Sequence, residues 1–310
     1  MDQRVSSPNL NTDPTAGQTE NIASKMAYLL GESGRPSPGL SSNLRTPYVI
    51  AICHQKGGVA KTTTVSSLGA ALAELNQRTL LIDLDPSGNL TTGFGLSPIE
   101  ISKSAADILL GNEALDSICR TTMVRGLDIA PSNQEMLTVS RFLNVRPKYE
   151  FLLRNSLEQL SKIGRSRYDF VLIDCPPTLG ALTVTALTAA QLAMIPTPCE
   201  YYSLQALDGI FKTIAGVRSK TNAQLRYRLL VTMYDRRGLL HTRVLETLRS
   251  RFAAVLFDTM IGFDSKLRES QLVGAPVTVH APRTRATLQY RTLAIELFNH
   301  VTSEIVSRPL

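Results

Sequence analysis

The sequence predicts an α/β fold, in which a mostly parallel, twisted sheet carries helices on both faces. Short apolar runs recur along the chain with few polar residues inside them, as is typical of strands buried on both faces. Segments with apolar residues at helical spacing separate these runs. Strands that alternate with helices in this way favour parallel pairing through crossover helices.

The predicted elements follow one another from residue 48 onwards. The predicted strands are Tyr48–Cys53, Thr79–Asp83, Asp169–Asp174, Leu192–Thr197 and Leu229–Met233. The predicted helices between them include Thr62–Leu75, Lys148–Leu160 and Leu182–Gln191. Ligands bind parallel sheets at the carboxyl ends of the strands, so we expect the functional residues in the loops that follow these strands.

The chain divides into a tail and a body. Residues 1–46 are rich in Ser, Pro, Asn, Gly and Thr, which predicts a flexible, mostly disordered tail without a signal peptide. Within this tail, Ile22–Leu30 places apolar residues on one helical face. That segment either docks on a partner or on the body, or forms a transient helix without a role. Residues 47–310 are predicted to form a single domain.

The 310-residue chain has a formal net charge of +7, concentrated in its C-terminal part. Residues 201–310 hold 16 Lys and Arg against 8 Asp and Glu. This surplus can attract DNA or an acidic membrane, although an ordinary solvated surface explains it as well. The four cysteines lack metal-binding spacing, and three of them lie in or beside apolar runs, which favours buried thiols in a reducing cytoplasm. Several prolines in the uncharged stretch Pro176–Cys199 favour a buried helix and strand over a membrane span.

The loop after the first predicted strand has the composition of a phosphate site. The segment His54–Thr63 (HQKGGVAKTT) connects a strand to a helix. Its glycines let backbone N–H groups turn toward phosphates, and the helix start adds a positive end. Lys61 would reach the β- and γ-phosphates, and the Thr62 hydroxyl would bind Mg²⁺. An additional lysine, Lys56, stands five positions before Lys61.

Acidic residues close two other predicted strands. Asp83 and Asp85 end the segment LLIDLD, and Asp174 ends the segment VLID. Carboxylates that leave a sheet near bound phosphates can hold the Mg²⁺ shell or orient the attacking water. Each acidic motif is weak by itself, but the three elements in this order predict a nucleotide site.

The segment Lys56–Thr63 resembles the deviant Walker A motif of the ParA/MinD family of P-loop NTPases, and the resemblance spans about residues 47–305. It implies ATP and Mg²⁺ as cofactors, and hydrolysis of ATP to ADP and phosphate. The nucleotide-binding residues it implies in this loop are Lys56, Gly57, Gly58, Val59, Ala60, Lys61, Thr62 and Thr63.

The same resemblance implies a role for individual residues. Lys56 would reach across an ATP-dependent nucleotide-sandwich homodimer to the partner's ATP, and Asp85 would position the hydrolytic water. The implied catalytic residues are therefore Lys56, Lys61 and Asp85. Thr62, Asp83 and Asp174 would hold Mg²⁺, partly through water.

Three positions depart from the family's pattern. His54 replaces the usual Asn, Ala60 the usual Gly and Ser87 the usual Gln. Ala60 adds only a methyl group, so we expect it to suit the start of a helix and to have a small effect. Turnover is expected to be slow, because a switch of this kind must persist until its partner arrives.

Two further segments resemble the ParA branch of the family. They are Pro196–Leu204 (PTPCEYYSL) and Val231–Arg237 (VTMYDRR), the second of which would border the adenine through Met233 and Asp235. The branch implies chromosome or plasmid partition, or cargo positioning, in the cytoplasm on the nucleoid, with a ParB-like activator. The tail is too short and polar for the helix-turn-helix of some partition ATPases. Nonspecific double-stranded DNA would bind through phosphate contacts from Lys266, Arg268, Arg283 and Arg285.

Three other functions compete with this one. A MinD-like membrane-associated ATPase would need a basic amphipathic C-terminal helix, but the only Lys or Arg residues in Leu288–Leu310 are Arg291 and Arg308. We therefore expect a terminal helix that packs in the core, and no membrane binding. An electron-transfer ATPase would need a second cysteine beside Cys175. A degenerate nucleotide-binding scaffold is permitted by Ala60 and Ser87, but the retained lysines and acids argue against it.

Overall fold

The structure, a computed structural model, describes residues 46–162, 167–200 and 203–306. Outside the described residues lie residues 1–45, which include the segment Ile22–Leu30, residues 163–166, Tyr201 and Tyr202, and residues 307–310. The described residues form a seven-stranded sheet with the order β3-β4-β2-β5-β1-β6-β7. Its strands are β1 (Tyr48–Ile52), β2 (Thr79–Asp83), β3 (Arg120–Thr121), β4 (Leu127–Ala130), β5 (Phe170–Asp174), β6 (Leu192–Pro198) and β7 (Arg226–Thr232). β3 pairs antiparallel with β4, and the other pairs are parallel.

Helices connect these strands. The first half of the chain contributes α1 (Lys61–Glu74), α2 (Asn89–Thr92), α3 (Ala105–Leu110), α4 (Leu115–Ile118), α5 (Glu135–Phe142) and α6 (Leu152–Lys162). The second half contributes α7 (Ala181–Ala189), α8 (Ser203–Lys220), α9 (Leu239–Phe252), α10 (Ser265–Leu272), α11 (Val277–His280) and α12 (Arg285–Val306). Short 3-10 turns lie at Leu143–Val145, Tyr149–Phe151 and Ala253–Val255.

The central strands are buried on both faces. Every residue of β1, β2 and β5 is buried, and alternate side chains of β1 enter two different hydrophobic clusters. One cluster includes apolar residues of α1 and α12, and the other includes those of α7, α8 and α9. The predicted mostly parallel sheet with helices on both faces is confirmed.

Helix α1 packs closely on the sheet at Gly69. A Cβ atom there would come within 2.6 Å of Leu81 Cδ2, so the buried Leu81 side chain would have to shift to admit one. On its other side α1 packs against α12, where Arg291 forms two hydrogen bonds to the Glu74 carboxylate, of 2.7 and 3.0 Å. The predicted core-packing role of the C-terminal helix is confirmed, because Leu297 and Val301 of α12 are fully buried. Among the described helices, none is long and apolar enough to cross a membrane.

Some boundaries differ from the predictions. The stretch Pro176–Cys199 does contain a buried helix, α7, followed by the buried strand β6. The helix predicted from Lys148 becomes α-helical only at Leu152, because Lys148 has a left-handed backbone, with φ 57°, and a 3-10 turn follows it. Strands β3 and β4 were not predicted, since runs of two and four residues carry too little periodicity.

Candidate functional site

The loop between β1 and α1 forms an open, phosphate-sized cradle. Gly58 and Ala60 both have positive φ values, of 72° and 71°, and they alternate with residues of ordinary φ. Such alternation turns successive backbone N–H groups toward one side. Cβ atoms built at Gly57 or Gly58 would meet nothing within 4 Å, so the loop faces open space. The start of α1 adds the positive end of its dipole at Lys61.

Ala60 does not take the helical dihedrals that we expected. It precedes the first residue of α1 and lies in the left-handed region, where a side chain is disfavoured by about 1 kcal/mol. The expectation that Ala60 suits a helix start was therefore wrong.

Lys61 and Thr62 hold fixed positions at the beginning of α1. Lys61 is buried, and its ammonium group lies 3.3 Å from the Lys56 carbonyl oxygen, to which it donates. The Thr62 hydroxyl donates to Asp174 Oδ2 at 2.7 Å. Both side chains border the cavity above the loop, so the cradle presents a cation and a hydroxyl to whatever binds there.

Strand order places two carboxylates side by side. Asp83 and Asp174 are paired residues at the ends of β2 and β5, and both are completely buried. Burial raises the pKa of Asp83 to about 6, although hydrogen bonds from Thr91 and Asp85 oppose the shift. Burial also raises the pKa of Asp174 well above its ordinary value, and the neighbouring Asp83 charge adds to this. Two adjacent buried acids are thus held in a place that favours a compensating cation.

The oxygen atoms at this point fit Mg²⁺. Asp174 Oδ1 is buried and has no hydrogen-bond partner among the described residues, while Oδ2 is held by Thr62. By contrast, Asp83 receives hydrogen bonds from the Thr91 N–H and hydroxyl and from the Asp85 N–H. Mg²⁺ takes oxygen ligands and keeps several waters. Thr62 and Asp174 therefore fit direct contact with Mg²⁺, and Asp83 fits contact with the metal through a water molecule.

Asp85 stands at the wall of the same cavity. Its side chain is mostly buried, and its Oδ1 accepts the Ser87 N–H at 2.9 Å, which fixes the carboxylate. Asp85 and Ser87 line the same cavity as the loop glycines. A fixed carboxylate facing a phosphate cradle can accept a hydrogen bond from an attacking water.

The cavity extends from the loop toward the carboxyl end of β7. Its volume is about 590 Å³, in the range of ligand pockets. Of the two residues predicted to border the adenine, Met233 lines the cavity. The Asp235 carboxylate instead accepts a hydrogen bond from Arg237 and is not among the lining residues. Val59 is buried, and its carbonyl oxygen accepts a hydrogen bond from Thr232 at 3.2 Å. The predicted loop residues that line the cavity are Gly57, Gly58, Ala60, Lys61, Thr62 and Thr63.

Comparisons with known proteins identify the family of this chain. A family described as AAA domain matches residues 48–227. The sporulation initiation inhibitor protein Soj of Bacillus subtilis is 36% identical over 250 residues, covering 80% of this chain and 97% of Soj. The chromosome partitioning protein ParA of Caulobacter vibrioides is 36% identical over 252 residues, covering 81% of this chain and 94% of that protein. The chain belongs to the ParA family of P-loop ATPases.

A solved structure supports the same fold. Cobyrinic acid a,c-diamide synthase from Mycobacterium smegmatis, with bound ADP and magnesium, matches with a TM-score of 0.73 and 32% identity. The match covers 84% of this ParA-family chain and 97% of that protein. The resemblance inferred from the deviant Walker A motif is thus confirmed at the level of the family, the fold and ATPase chemistry.

The second lysine of this ParA-family loop does not line the cavity. Lys56 is exposed over 44% of its side chain and forms an ion pair with Glu200, which follows β6. Its backbone N–H donates to His54 Nδ1 at 2.9 Å. Burial and the nearby Lys61 ammonium lower the pKa of His54 to about 4, so His54 is neutral and able to accept this hydrogen bond.

Of the four basic residues predicted to bind DNA, Lys266 and Arg268 lie on α10, Arg285 is the first residue of α12, and Arg283 lies in the turn before it. Lys266 forms an ion pair with Glu269 at 2.6 Å, and Arg283 is exposed. Arg268 lies over the Phe263 ring, 5.2 Å from its centroid, and borders the nucleotide cavity. Arg285 is exposed and donates to the Phe263 carbonyl oxygen at 2.6 Å. Arg268 therefore borders the ATP site of this ParA-family chain, and Arg285 contacts Phe263, which lines the same cavity.

Sequence reasoning missed several residues of the site. Phe263 and Gln271 line the cavity from α10 and the loop before it, and Gln271 donates to the Thr63 hydroxyl at 2.7 Å. Thr91 orients Asp83, and Glu200 binds Lys56. Glu200 lies within a segment that the sequence analysis singled out, but no local pattern indicates which residue it contacts.

Proposed function

We propose that the chain is an ATP-dependent dimerising ATPase that binds DNA without sequence preference and drives chromosome or plasmid partition, or positions a cargo on the nucleoid. A ParB-like partner would stimulate its hydrolysis. The observation that carries the proposal is the position of Lys56. This lysine leaves the phosphate loop beside Lys61 but projects outward, where a second subunit's nucleotide could receive its charge.

ATP and Mg²⁺ are the cofactors that fit the site. When bound, Mg²⁺ would offset the negative charge that develops on the phosphates. Lys61 and the loop N–H groups would hold the β- and γ-phosphates, and Thr62 and Asp174 would hold the metal. Asp85 would orient the attacking water, and Lys56 of the second subunit would add positive charge at the transferring phosphoryl group.

DNA binding would follow from dimerisation. Arg268 borders the ATP site and Arg285 contacts Phe263 in its wall. Closing two subunits there would bring two copies of the basic residues Lys266, Arg268, Arg283 and Arg285 onto one assembly. Contacts to phosphates from such side chains require no base recognition and weaken steeply with salt. The name of one relative, the chromosome partitioning protein ParA of Caulobacter vibrioides, supports partition as the process served.

A MinD-like membrane function is less well supported. It would need the apolar face of α12 for the lipid, but Leu293, Leu297 and Val301 of that face are fully buried against the rest of the protein. Co-sedimentation with liposomes in the presence of ATP separates the two functions.

The proposal is tested by measuring ATP turnover, DNA retention and mass in solution together. We expect slow turnover, stimulated by nonspecific DNA and a ParB-like partner. With a slowly hydrolysed ATP analogue, we expect a dimer that binds DNA of any sequence in a mobility-shift assay. We expect its affinity for DNA to fall as the salt concentration is raised. Binding to liposomes but not to DNA would overturn the proposal.

A further inference from the structure

We infer that Glu200 is a positioning residue, which holds Lys56 within its own subunit and releases it when two subunits close over ATP. The inference rests on the proposed function, since it concerns the same lysine. Lys56 and Glu200 are 144 positions apart in the chain, yet their side chains form a direct ion pair.

The backbone on both sides of this pair is fixed. β6 lies next to β1 in the sheet, so the residues after β6 meet the loop after β1. Cys199, directly before Glu200, is completely buried, and the Ser203 N–H donates to the Glu200 carbonyl oxygen at 3.0 Å. On the other side, Lys56 is held by His54 and by Lys61 through its N–H and carbonyl groups. The two segments are therefore anchored independently of the ion pair.

The side chains themselves remain free to separate. Lys56 is exposed over 44% and Glu200 over 45% of the side chain, so water can replace each partner when the pair opens. An exposed pair of this kind shifts an equilibrium by only about 1.5- to 5-fold. Glu200 can thus direct Lys56 without trapping it.

A single ammonium group cannot serve two anions at different places. If Lys56 reaches the second subunit's phosphates, it must leave Glu200. The phosphates bind its ammonium group more strongly than Glu200 does, because they carry several negative charges and are less exposed to water in a closed dimer. In a symmetric dimer this exchange happens twice. The Glu200 contacts therefore oppose dimerisation by about 2- to 25-fold in the dissociation constant.

The pair also sets a threshold for the switch. A subunit without ATP keeps Lys56 neutralised, so two nucleotide-free subunits do not gain from bringing their loops together. With ATP bound in both subunits, the free energy gained from the contacts between Lys56 and the phosphates exceeds the free energy lost with the two Lys56–Glu200 ion pairs. Glu200 thus makes closure depend more steeply on nucleotide.

The test compares Glu200→Gln with wild type and with the matched control Glu158→Gln. Glu158 is similarly exposed and paired, with Arg154, but it lies on α6. Dimer dissociation constants are measured by analytical ultracentrifugation in a slowly hydrolysed ATP analogue and Mg²⁺. We expect Glu200→Gln to dimerise about 2- to 25-fold more tightly, while Glu158→Gln matches wild type. Dimerisation that is unchanged or weaker in Glu200→Gln overturns the inference.

A second measurement on the nucleotide-free protein does not depend on dimerisation. The rate of Lys56 acetylation by acetic anhydride is followed by peptide mass spectrometry. We expect it to rise about 2- to 5-fold in Glu200→Gln, because the ammonium loses its shielding partner, and to stay constant in Glu158→Gln. An unchanged rate would show that the ion pair does not hold Lys56.

The two failures are distinguishable. If wild type dimerises with nucleotide but Glu200→Gln behaves identically, the inference fails and the proposed function stands. If wild type does not dimerise with nucleotide at any concentration tested, the proposed function fails, and the inference fails with it.

Discussion

The Thr62 hydroxyl donates a hydrogen bond of 2.7 Å to Asp174, which joins the first turn of α1 to the end of β5. This contact fixes the relative position of the phosphate loop and of a buried carboxylate, one oxygen of which has no hydrogen-bond partner within the part of the chain that the structure describes. The two groups that fit the metal are therefore oriented before any ligand binds.

We expect Thr62→Val to weaken nucleotide binding only when Mg²⁺ is present. Valine keeps the shape of threonine but removes the hydroxyl, so Mg²⁺-dependent ATP affinity should fall about 10- to 100-fold. Affinity in EDTA should stay close to that of wild type. Fluorescence titration with a labelled ATP analogue measures both values. Thr292→Val, where the hydroxyl bonds only its own helix, is the control.

Asp85→Ala should separate binding from hydrolysis. We expect ATP affinity within a few-fold of wild type, because the phosphate cradle is intact, and turnover reduced by about 100-fold or more. The variant should accumulate as an ATP-bound dimer. Phosphate release at saturating ATP and light scattering provide the measurements, with the exposed Asp116→Ala as control. Normal hydrolysis in Asp85→Ala would refute its assignment as the water-positioning acid.

Alanine substitutions of the two loop lysines should have different effects. Lys61→Ala should lose nucleotide binding, because Lys61 is buried at the cradle. Lys56→Ala should bind ATP as a single subunit but neither dimerise nor hydrolyse efficiently, because its side chain lies outside the cavity of its own subunit. Isothermal titration and ultracentrifugation distinguish these outcomes. Equal loss of ATP binding in both variants would contradict the distinct roles.

Substitutions at Ala60 should rank by their tolerance of positive φ. Ala60→Gly relieves a strain of about 1 kcal/mol but adds about 0.4–1 kcal/mol of unfolded-state entropy, so stability should stay within about 1 kcal/mol of wild type. Ala60→Val should lose about 1–3 kcal/mol, because β-branched residues are poorly tolerated there. Urea denaturation measures the order, and a valine variant as stable as wild type would be inconsistent with it.

Stability should depend on the protonation of His54 between about pH 6.5 and pH 4. The folded pKa of His54, about 4, lies below the ordinary value of 6.5, so the unfolded chain binds the extra proton in this window. The free energy of unfolding should therefore fall as the pH decreases, by up to about 1 kcal/mol per pH unit from this residue. Lys61 and Lys56 contribute to the shift by repelling the charged imidazole.

The control for this pH dependence is His54→Asn. Asparagine offers an oxygen to the Lys56 N–H but does not titrate, so the pH slope between pH 5 and pH 7 should become shallower than in wild type. Urea denaturation curves at several pH values provide the comparison. Parallel slopes in the two proteins would mean that His54 does not control acid stability.

The sequence predicted those parts of the site that are local in the chain. The loop around Lys61 and the acids Asp83 and Asp174 stand directly after strongly apolar strands, so strand, loop and chemistry were visible together. Glu200, Phe263 and Gln271 were not assigned, because their contacts depend on which strands become neighbours and on how α10 folds back over the loop. Those arrangements arise from long-range packing, for which a single sequence carries no direct pattern.

The position of β5 has a consequence for how the protein is made. β1 and β2 are consecutive in the chain but do not touch, because β5 lies between them and supplies Asp174. A growing chain on the ribosome therefore exposes the P-loop long before the strand that completes its metal site emerges. Until then β1 and β2 lack their shared neighbour. Nascent chains that end before residue 170 should consequently be unable to retain nucleotide. Stable ATP binding would therefore report that β5, the central strand between β1 and β2, has been synthesised.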